Sequence, residues 1–426
     1  MYHSIAIGKG VLHLSKILNR SGSTWPGHVA LKADRSLIRK VFKKNPGLKL
    51  ILIAGTNGKT TTTKVLTHIL ESSNISVLAN VAGANLLNGL ASLLVKHINL
   101  QGTLKHKALL FEVDENSLPL VLEEISTPDA IIFLNLFRDQ LDRYGEVNVT
   151  SQKWKSAIEK LSAKTLIIGN ADDPQIAYIS SFSKNKFFYT IDNKFKNEKE
   201  LAHAVDSTTC PKCNNQLSYE RISYSHLGNF ACSNCEFKSP KAKQYIFQTK
   251  LMGTYNKYNV SSAILAADKV FGINPYTSIE TLKNFVPAFG RQEVIEIDNK
   301  KIMILLSKNP TGLNESIEVC LTNKSSTILL LLNDRIPDGR DISWIWDVDF
   351  EKLKNSNAKI YVSGDRAYDM ANRLFFEGIA HEVFEKYEDA YKAAIKNTLS
   401  AKTLTILPTY SAMLEVRRLI SGKAIL

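Results

Sequence analysis

The sequence predicts an α/β protein whose parallel sheets are buried on both faces. Short apolar runs rich in Ile, Leu and Phe recur along the chain, and each is followed by a polar turn. Stretches with the apolar spacing of a helix separate these runs, as in YNKYNVSSAILAADKVF (255–271). Continuous apolar runs are typical of strands that helices cover on both sides, so we expect the doubly wound class.

The 426 residues are too many for one ordinary core, and the chain divides into three parts. A helical or loop-like arm covers residues 1–45, a central domain covers 46–293, and a second α/β unit covers 294–426. Within the central domain, residues 205–242 are polar and nearly free of aliphatic runs, which indicates a small insertion. The predicted strands are LKLILIAG (48–55), KALLFEV (107–113), DAIIFLNL (129–136), TLIIGN (165–170), KIMILLS (301–307), STILLLLND (326–334), KIYVSG (359–364) and LTILPT (404–409).

Composition and charge restrict the class of protein. The apolar fraction of 44% and the charged fraction of 22% are those of a soluble globular chain. No apolar run reaches the length of a membrane span, and the first residues do not resemble a secretory signal, so a cytoplasmic location is expected. The net charge of +13 favours anionic partners, which include phosphorylated substrates, a membrane surface and nucleic acid. The basic residues are spread between ordinary segments, so charge alone does not choose among these partners.

A glycine-rich segment, GTNGKTTT, lies between a predicted strand and an amphipathic helix. Backbone N–H groups in such a loop can hold phosphate oxygens, Lys59 would reach the β- and γ-phosphates, and Thr60 would ligate Mg²⁺. Ile53 stands where the usual motif has its first glycine, and a plain glycine turn with a capping threonine is the alternative to a nucleotide site. The residues predicted to bind ATP and magnesium here are Gly55, Thr56, Asn57, Gly58, Lys59, Thr60 and Thr61.

Four of the five cysteines form two C-x₂-C pairs with eighteen residues between them: Cys210, Cys213, Cys232 and Cys235. Each pair is a turn that brings two sulfurs together, and two such turns complete a tetrahedron, so the spacing predicts a zinc site. The protein fills all four positions, which indicates a structural and not a catalytic metal. Unpaired thiols in a polar insertion are the alternative. Cys320 is expected to be a small buried hydrophobe.

The phosphate loop also resembles that of the Mur ligase family, and further segments extend this resemblance. Glu112, in FEVDE, sits where that family places a metal-binding glutamate. NLFRDQLDRYGE (135–146) resembles the family motif N-x-x-x-D-H-x-D-R-x-G, with Gln140 in place of the histidine. GTYNKYN (253–259) resembles the segment near the adenine, and GRQE (290–293) resembles the end of the central domain. The matching positions are Asn135, Asp139, Asp142, Arg143, Gly145, Asn256, Asn259 and Arg291, with Tyr255 in place of a second histidine.

The family resemblance implies roles for several of these residues. Glu112 and Asp142 would bind the metal, Asn256 would lie near the adenine, and Arg291 would contact the γ-phosphate. For Glu112 and Asp142 a helix cap or a salt bridge is the alternative, and Asp139 is the weaker candidate. Many relatives carry a carbamylated lysine, for which Lys155 and Lys153 are the nearest matches. We favour an exposed helix lysine for both.

Segments of the second α/β unit narrow the resemblance to the MurT family of Mur-type ligases. These segments are LSKNPTGLNES (306–316), NDRIPDGRDISWIWDVDFE (333–351), SGDRAYDMANRL (363–374) and LPTYSAML (407–414). SGSTWPGHVALK (21–32) resembles the amino-terminal arm of that family, and the cysteine-rich insertion lies where the family carries a zinc ribbon. The resemblance implies a Mur ligase-type central domain with an inserted zinc ribbon, followed by a Rossmann-like carboxy-terminal domain.

The MurT resemblance implies that ATP activates a carboxylate as an acyl phosphate, which ammonia then attacks. The implied substrate is the α-carboxylate of D-glutamate in the lipid II stem peptide, the implied product is D-isoglutamine, and this substrate would hold the protein at the inner face of the membrane. The implied source of ammonia is a GatD-like glutaminase partner, because four cysteines are assigned to zinc and Cys320 lacks a motif. Asp349 would complete the partner's Cys–His pair, so Lys59, Glu112 and Asp349 are the expected catalytic residues.

Some alternatives stay open from the sequence alone. Asp349 precedes FEKLKN and would make a good helix N-cap, and Lys308 and Arg340 either bind phosphate or face solvent. Another Mur-type ligase, such as a folylpolyglutamate or cyanophycin synthetase, should lack both the zinc ribbon and DGRDISWIWDVDFE (338–351). A zinc-ribbon, nucleic-acid-dependent ATPase should show an arginine-rich face and a helicase or recombinase pattern.

Overall fold

The computed structural model of the chain describes residues 1–17, 24–80, 84–125, 127–139, 146–192, 205–285 and 291–421. Of Lys16, Arg291 and Ser421 only the backbone is described. The described residues include no helix that is long and apolar enough to cross a membrane.

Three helices precede the first strand: α1 (Tyr2–Ile17), α2 (Trp25–Ala33) and α3 (Leu37–Lys44). The arm packs on the central domain because Gly27 of α2 lies directly against a helix formed by residues 87–97. The Gly27 N–H donates to Ser92 Oγ at 2.7 Å, and a Cβ on Gly27 would lie 2.1 Å from the Asn88 carbonyl oxygen. Any larger residue at this position would push the two helices apart.

The central domain is built on a seven-stranded parallel sheet. Its strands are β1 (Lys49–Ala54), β2 (Val77–Ala79), β3 (Ala108–Val113), β4 (Ala130–Phe133), β5 (Leu166–Asn170), β6 (Lys186–Thr190) and β9 (Lys243–Gln244). They pair in the order β2-β3-β1-β4-β5-β6-β9. The helices are α4 (Lys59–Ser72), α5 (Leu87–His97), α6 (Leu118–Glu124), α7 (Val147–Ile158), α8 (Pro174–Ser181), α9 (Thr254–Phe271) and α10 (Pro275–Leu282). The four strands predicted in this region are β1, β3, β4 and β5.

Helices cover both faces of this sheet, as the continuous apolar runs predicted. All six residues of β3 are buried. Alternate residues of β1 point to opposite sides: Leu52 packs in the cluster that contains Trp154, and Ile53 packs in the cluster that contains Tyr258. Trp154 comes from α7 and Tyr258 from α9, so the α/β class with helices on both faces is confirmed.

The cysteine-rich insertion forms an antiparallel hairpin of β7 (Leu217–Tyr224) and β8 (Leu227–Cys232). At one end of the hairpin a small cluster contains Cys210, Leu217, Phe230 and Cys232. The turn at the other end enters the main core of the central domain, where Leu227 is completely buried.

The second α/β unit is built on a six-stranded sheet. Its strands are β10 (Arg291–Ile297), β11 (Lys300–Leu305), β12 (Thr327–Leu331), β13 (Lys359–Ser363), β14 (Glu382–Val383) and β15 (Thr403–Pro408), in the order β10-β11-β15-β12-β13-β14. Its helices are α11 (Pro310–Thr322), α12 (Ala367–Phe376), α13 (Tyr387–Asn397) and α14 (Tyr410–Ser421), with short 3₁₀ helices at Ser343–Asp347 and Phe350–Asn355. The four predicted strands are β11, β12, β13 and β15, and they pair in parallel. β10 was not predicted, because its sequence contains no apolar run, and it pairs with β11 as an antiparallel edge strand.

Candidate functional site

The predicted phosphate loop connects the end of β1 to the start of α4 at the carboxyl edge of the central sheet. Gly55 and Gly58 have φ angles of +146° and +94°, in the region that favours glycine. A Cβ on Gly58 would lie 2.1 Å from Asn259 Oδ1 of α9, so this position has no room for a side chain. The loop therefore needs glycine at Gly58 for both backbone and packing reasons.

The segment that follows β4 holds the phosphate loop from the side. The Asn57 N–H donates to Asn135 Oδ1 at 2.9 Å, and Asn135 Nδ2 donates to the Asn57 carbonyl oxygen at 3.0 Å. The Phe137 N–H donates to Thr56 Oγ1 at 3.0 Å, and the Thr56 N–H donates to the Asn135 carbonyl oxygen at 3.0 Å. These paired contacts fix the conformation of the loop before it meets any ligand.

Lys59 begins α4 and is mostly buried at the loop. Its ammonium group donates to the carbonyl oxygens of Gly55 and Thr56 and lies 3.4 Å from Glu115 Oε1. A cation held at this point by the loop itself is placed to face an anion bound by the loop's N–H groups. The phosphate contact of Lys59 stays a prediction.

Thr60 and Glu112 come from neighbouring elements and meet at the same edge. Thr60 Oγ1 donates to Glu112 Oε2 at 2.8 Å, and Glu112 is only 6% exposed. The Glu112 N–H donates to Asn80 Oδ1 at 2.8 Å, which fixes the end of β3. A hydroxyl and a carboxylate in contact offer the oxygen ligands that Mg²⁺ prefers.

Sequence reasoning missed Glu115, a buried carboxylate beside Lys59, and the contact between Lys308 and Asp139. Glu115 is 5% exposed, and burial raises the pKa of its carboxyl while the Lys59 and Lys308 ammonium groups oppose that shift. Lys308 of the second unit pairs with Asp139, which follows β4 and is also buried. The sequence left two roles open for Lys308 and Arg340, binding phosphate or facing solvent. Lys308 lies within the charge cluster at the phosphate loop. Arg340 is exposed.

A narrow cavity, here called the interdomain cavity, lies beside the phosphate loop between the two α/β units. It is lined by Asn57, Gly58, Thr61, Tyr224, Tyr255, Asn256, Gln292, Leu305, Leu306, Thr311, Gly312, Glu315 and Ser316. Three predicted nucleotide residues of the loop and Asn256 of α9 therefore share one cavity. Asn256 Nδ2 donates to the Met252 carbonyl oxygen at 2.7 Å, and Asn259 Nδ2 donates to Asn256 Oδ1 at 3.1 Å, so both amides are held in place.

Gln292 is a cavity residue that the sequence did not single out, although it lies inside the GRQE motif. It is 3% exposed and has a φ of +65°, which is a strained conformation for a glutamine. Its Oε1 accepts from the Met252 N–H at 2.8 Å, and its Nε2 donates to the Tyr255 hydroxyl at 2.8 Å. These contacts tie the first strand of the second unit to the start of α9.

Several predicted residues are not positioned by the structure. Asp142, together with Gln140, Arg143 and Gly145 of the same motif, lies outside the described residues, and the side chain of Arg291 is not described. Lys155 pairs with Glu159 at 3.0 Å and lies over the Phe182 ring. Lys153 lies 3.5 Å from Asn116 Oδ1 and is exposed, as expected for a surface helix lysine, whereas the side chain of Lys155 is only 23% exposed.

The four paired cysteines converge as their spacing predicted. Their sulfurs all lie within 4.8 Å of one another, and the Sγ–Sγ distances are 3.5 Å for Cys210–Cys235 and for Cys213–Cys232. A tetrahedral zinc with Zn–S bonds of about 2.3 Å needs sulfurs about 3.8 Å apart, so the cluster fits such an ion. The backbone N–H of Asn215 lowers the pKa of the Cys213 thiol to about 6, whereas burial raises the pKa of the Cys210 thiol. Cys320 is buried in the second unit, as expected.

The turn of the cysteine hairpin lies beside the interdomain cavity and the phosphate loop. Tyr224 lines the interdomain cavity and packs 5.8 Å from the Tyr258 ring and 6.0 Å from the Phe137 ring. His226 is completely buried, 4.8 Å from the Phe137 ring and 3.6 Å from Asp173 Oδ2. Phe137 is hydrogen-bonded to Thr56 of the phosphate loop. The hairpin turn packs against Phe137 and therefore supports the loop through this residue.

Asp349 is buried in the second unit, at the start of the 3₁₀ helix Phe350–Asn355, and is 2% exposed. Asp349 occupies the N-cap position of this helix, but its side chain makes no capping hydrogen bond there. Asn314 Nδ2 instead donates to Asp349 Oδ2 at 3.1 Å, and Asn314 Oδ1 accepts from the Asp349 N–H at 2.9 Å. Lys352 Nζ lies 3.7 Å from the same carboxylate. A neighbouring helix therefore holds this carboxylate in place.

Exposed aromatic side chains lie next to the Asp349 segment, and we call Trp346, Phe375 and Phe376 the aromatic patch. They are 48%, 72% and 68% exposed, and the Trp346 and Phe376 rings are 5.7 Å apart. Arg373 lies under Trp346 and donates to the carbonyl oxygens of residues 345 and 348, which joins the patch to the backbone just before Asp349. Clustered exposed aromatics of this kind mark protein interaction surfaces.

Comparison with known proteins identifies the class. The family model for the Mur ligase middle domain matches residues 53–267. A phosphate loop beside a buried carboxylate, facing a second α/β unit across a cavity, defines an ATP-dependent ligase of the Mur type. The family model for the MurT ligase C-terminal domain matches residues 306–413.

Two similar proteins establish the family. The "Lipid II isoglutaminyl synthase (glutamine-hydrolyzing) subunit MurT" of Staphylococcus aureus is 32% identical over 430 residues, which covers 96% of this chain and 95% of that protein. The protein of the same name from Streptococcus pneumoniae is 32% identical and covers 95% of this chain and 93% of its own length. The chain belongs to the MurT family.

Solved structures support the fold. A pseudomurein peptide ligase type C from Methanothermus fervidus aligns with a TM-score of 0.68 at 22% identity, over 91% of this chain and 81% of that chain. MurF ligase from Thermotoga maritima in complex with ADP aligns with a TM-score of 0.63 at 15% identity, over 91% of this chain and 82% of that chain. The predicted Mur ligase fold is therefore confirmed.

Proposed function

We propose that this chain is the ligase subunit of a two-subunit amidotransferase of peptidoglycan synthesis. It uses ATP to amidate the α-carboxylate of D-glutamate in the lipid II stem peptide, which yields D-isoglutamine, with ammonia from a GatD-like glutaminase. The observation that carries the proposal is the similarity to relatives named lipid II isoglutaminyl synthase subunit MurT along 96% of the chain. We place the domain boundaries at 45/46 and 293/294, with the zinc ribbon at 205–242.

The chemistry proceeds in two steps. A carboxylate oxygen of the substrate attacks the γ-phosphorus of ATP, the bond to the β-phosphate oxygen breaks, and ADP leaves. Ammonia then attacks the acyl carbon, the bond to the phosphate oxygen breaks, and the amide, phosphate and a proton are released. The protein's main contribution to such a transfer is to position the groups and to stabilise developing negative charge.

The loop residues divide this work in a way that their contacts support. The N–H groups from Gly55 to Thr61 hold the phosphate oxygens, and Lys59 faces the transferring phosphoryl group from the start of α4. Thr60 and Glu112 would hold Mg²⁺, which would supply positive charge for the phosphate oxygens. Asn256 lies at the adenine side, where it lines the interdomain cavity. We assign Asp142 to the metal and Arg291 to the γ-phosphate on the family motif alone.

The cysteine cluster fits a structural zinc ion held by Cys210, Cys213, Cys232 and Cys235. Zinc bound there supplies folding stability and no open coordination position. The hairpin that carries the cysteines ends in the buried turn beside the phosphate loop, so the site stabilises a wall of the interdomain cavity.

Two features of the second unit support the glutaminase partner. Asn314 fixes the orientation of the Asp349 carboxylate, and a carboxylate that orients a catalytic histidine needs such a fixed orientation. The aromatic patch beside it offers the apolar anchors on which a partner protein can dock. We therefore assign Asp349 to the partner's Cys–His pair and the aromatic patch to the interface between the subunits.

The test is reconstitution with a GatD-like glutaminase, followed by measurement of amidated lipid II with glutamine, ATP and Mg²⁺. We expect amidation to require ATP and both proteins, and Lys59→Ala to abolish it while one zinc per chain is retained. Lys153→Ala is the matched control, because this lysine is exposed and belongs to the same domain. If the reconstituted pair leaves lipid II unchanged while it hydrolyses glutamine and ATP, the proposed function is wrong.

A further inference from the structure

The interdomain cavity contains a buried carboxylate that the proposed mechanism does not use. Glu315 of α11 lines the cavity and is only 7% exposed. Among the described residues that line the cavity, it is the only charged one. Burial raises the pKa of the Tyr224 hydroxyl, and the nearby Glu315 carboxylate raises it further. Glu315 therefore lies close to the part of the cavity wall that the cysteine hairpin contributes.

Residues assigned to the two ends of ATP line the same cavity. Asn57, Gly58 and Thr61 belong to the segment that holds the phosphates, and Asn256 lies at the adenine side. In ATP the ribose joins the phosphates to the adenine. A nucleotide that reaches both sets of residues therefore carries its ribose through the space between them. The second unit closes this space, and Glu315 is the charged side chain that it brings there.

The start of α11 is fixed relative to the phosphate loop. Asn309 caps this helix, because its Oδ1 accepts from the Gly312 N–H at 2.8 Å. The side chains of Asn309 and Asn57 are hydrogen-bonded to each other, with N–O distances of 3.2 and 3.3 Å. One turn further on, Ser316 Oγ donates to the Gly312 carbonyl oxygen at 2.9 Å. The position of Glu315 is thus set by the same loop that is proposed to hold the phosphates.

We propose that Glu315 accepts hydrogen bonds from the ribose hydroxyl groups of ATP, so that the second unit recognises the sugar of the nucleotide. A buried carboxylate near a triphosphate is repelled by it, and hydrogen-bond donors from the ligand offset this cost. The 2′- and 3′-hydroxyls supply two donors side by side, and a carboxylate has two oxygens to accept them. Dinucleotide-binding folds use an acidic residue for the ribose in the same way. The inference rests on the proposed function only in taking ATP as the nucleotide.

The experiment measures the Kd of the full chain for Mg²⁺–ATP and for Mg²⁺–2′,3′-dideoxyATP by calorimetry. A hydrogen bond to a charged group is lost with the dideoxy nucleotide, which should therefore bind about 10- to 100-fold more weakly. Glu315→Ala should weaken ATP binding to a similar degree and should bind the two nucleotides within about twofold of each other, because the two changes remove the same interaction. Glu315→Gln keeps an accepting oxygen without the charge, so its affinity for ATP should be intermediate.

The matched control is Glu318→Gln on the same helix. Glu318 pairs with Lys352 at 2.9 Å and is not among the cavity residues. This variant should prefer ATP over the dideoxy nucleotide as strongly as the unchanged chain does. The melting temperature without nucleotide checks that each variant is folded. In the reconstituted pair, Glu315→Ala should raise the KM for ATP with little change in kcat, because the ribose is remote from the transferring phosphoryl group.

Three outcomes overturn the inference. One is equal affinity of the unchanged chain for ATP and 2′,3′-dideoxyATP, a result that no folding defect can cause. Another is a dideoxy penalty that persists in Glu315→Ala. The third is a variant that loses discrimination against inosine triphosphate instead, which would place Glu315 at the adenine amino group.

The binding assay contains neither lipid II nor a glutaminase, so the two proposals fail separately. A chain that recognises the ribose but does not amidate lipid II with its partner contradicts the proposed function alone. A chain that amidates lipid II but binds both nucleotides equally contradicts only the role of Glu315.

Discussion

The proposed function assigns glutamine hydrolysis to the partner subunit and ATP-dependent amidation to this chain. The variant Asp349→Asn should impair the first reaction and leave the second intact. The asparagine keeps the size of the side chain and an oxygen that can accept from Asn314 Nδ2, but it removes the negative charge. Lys352 is partly exposed and keeps its 2.9 Å ion pair with Glu318, so the loss of its 3.7 Å contact with Asp349 costs about 0–1 kcal/mol. The variant should therefore fold normally and bind ATP like the unchanged chain.

The expected effect is on glutamine and not on ammonium. Replacing the carboxylate that orients a catalytic histidine by an amide lowers kcat by about 10⁴-fold in serine proteases, and we expect a loss of roughly 10²–10⁴-fold in glutamine-dependent amidation. The rate with saturating ammonium chloride should stay within about twofold, because the phosphate loop and the interdomain cavity are untouched. By contrast, Asp349→Ala should also lower the free energy of unfolding by about 1–3 kcal/mol, since it leaves the Asn314 amide buried without its acceptor.

The assay compares initial rates of lipid II amidation with each nitrogen source in the reconstituted pair. Asp347→Asn is the matched control, because this neighbouring carboxylate is 42% exposed and pairs with Arg138 at 3.2 Å. It should change both rates alike. Equal loss of glutamine- and ammonium-dependent activity in Asp349→Asn would refute the role assigned to this residue.

Four further predictions address the other parts of the site. Cys213→Ser should lower the amount of bound zinc, measured by elemental analysis. It should also weaken ATP binding in calorimetry, because the hairpin turn supports the wall of the interdomain cavity. An unchanged ATP affinity in the metal-free chain would contradict this prediction. Glu112→Gln should lower ATP turnover at least 100-fold at fixed Mg²⁺ with little change in melting temperature, and normal turnover would remove the carboxylate from the metal site. Gly58→Ala should abolish ATP binding and lower the melting temperature, since its φ of +94° and the 2.1 Å approach leave no room for a methyl group; normal ATP binding by the alanine variant would show that glycine is not required there. Phe376→Ser should weaken association with the glutaminase at least tenfold in calorimetry, whereas Tyr276→Ser, 71% exposed in the central domain, should not; equal affinities would place the interface elsewhere.

Much of the fold could be predicted because it depends on local pattern. A strand that helices cover on both faces must be apolar at nearly every position, and β1, β3, β4 and β12 all meet this requirement. The edge strand β10 lacks such a run because one side faces solvent, and its antiparallel pairing could not be read from its residues.

Asp349 shows where local pattern fails. A short polar residue before a predicted helix is equally compatible with a cap and with a functional carboxylate. The decision depends on Asn314, which lies 35 positions away in the sequence and reaches Asp349 only because α11 packs against the 3₁₀ helix. No short sequence window contains both residues.

The sequence by itself determined the two sites that are built from consecutive residues. Local backbone turns set the geometry of the phosphate loop and of the C-x₂-C pairs. The spacing of their residues therefore predicts that geometry. Tertiary structure alone decided that Lys308 meets Asp139 across 169 positions and that Tyr224 of the hairpin lines the interdomain cavity. Contacts of this kind depend on how separate elements pack, because the free energy that brings them together comes from burying apolar surface throughout both domains and not from the residues that meet.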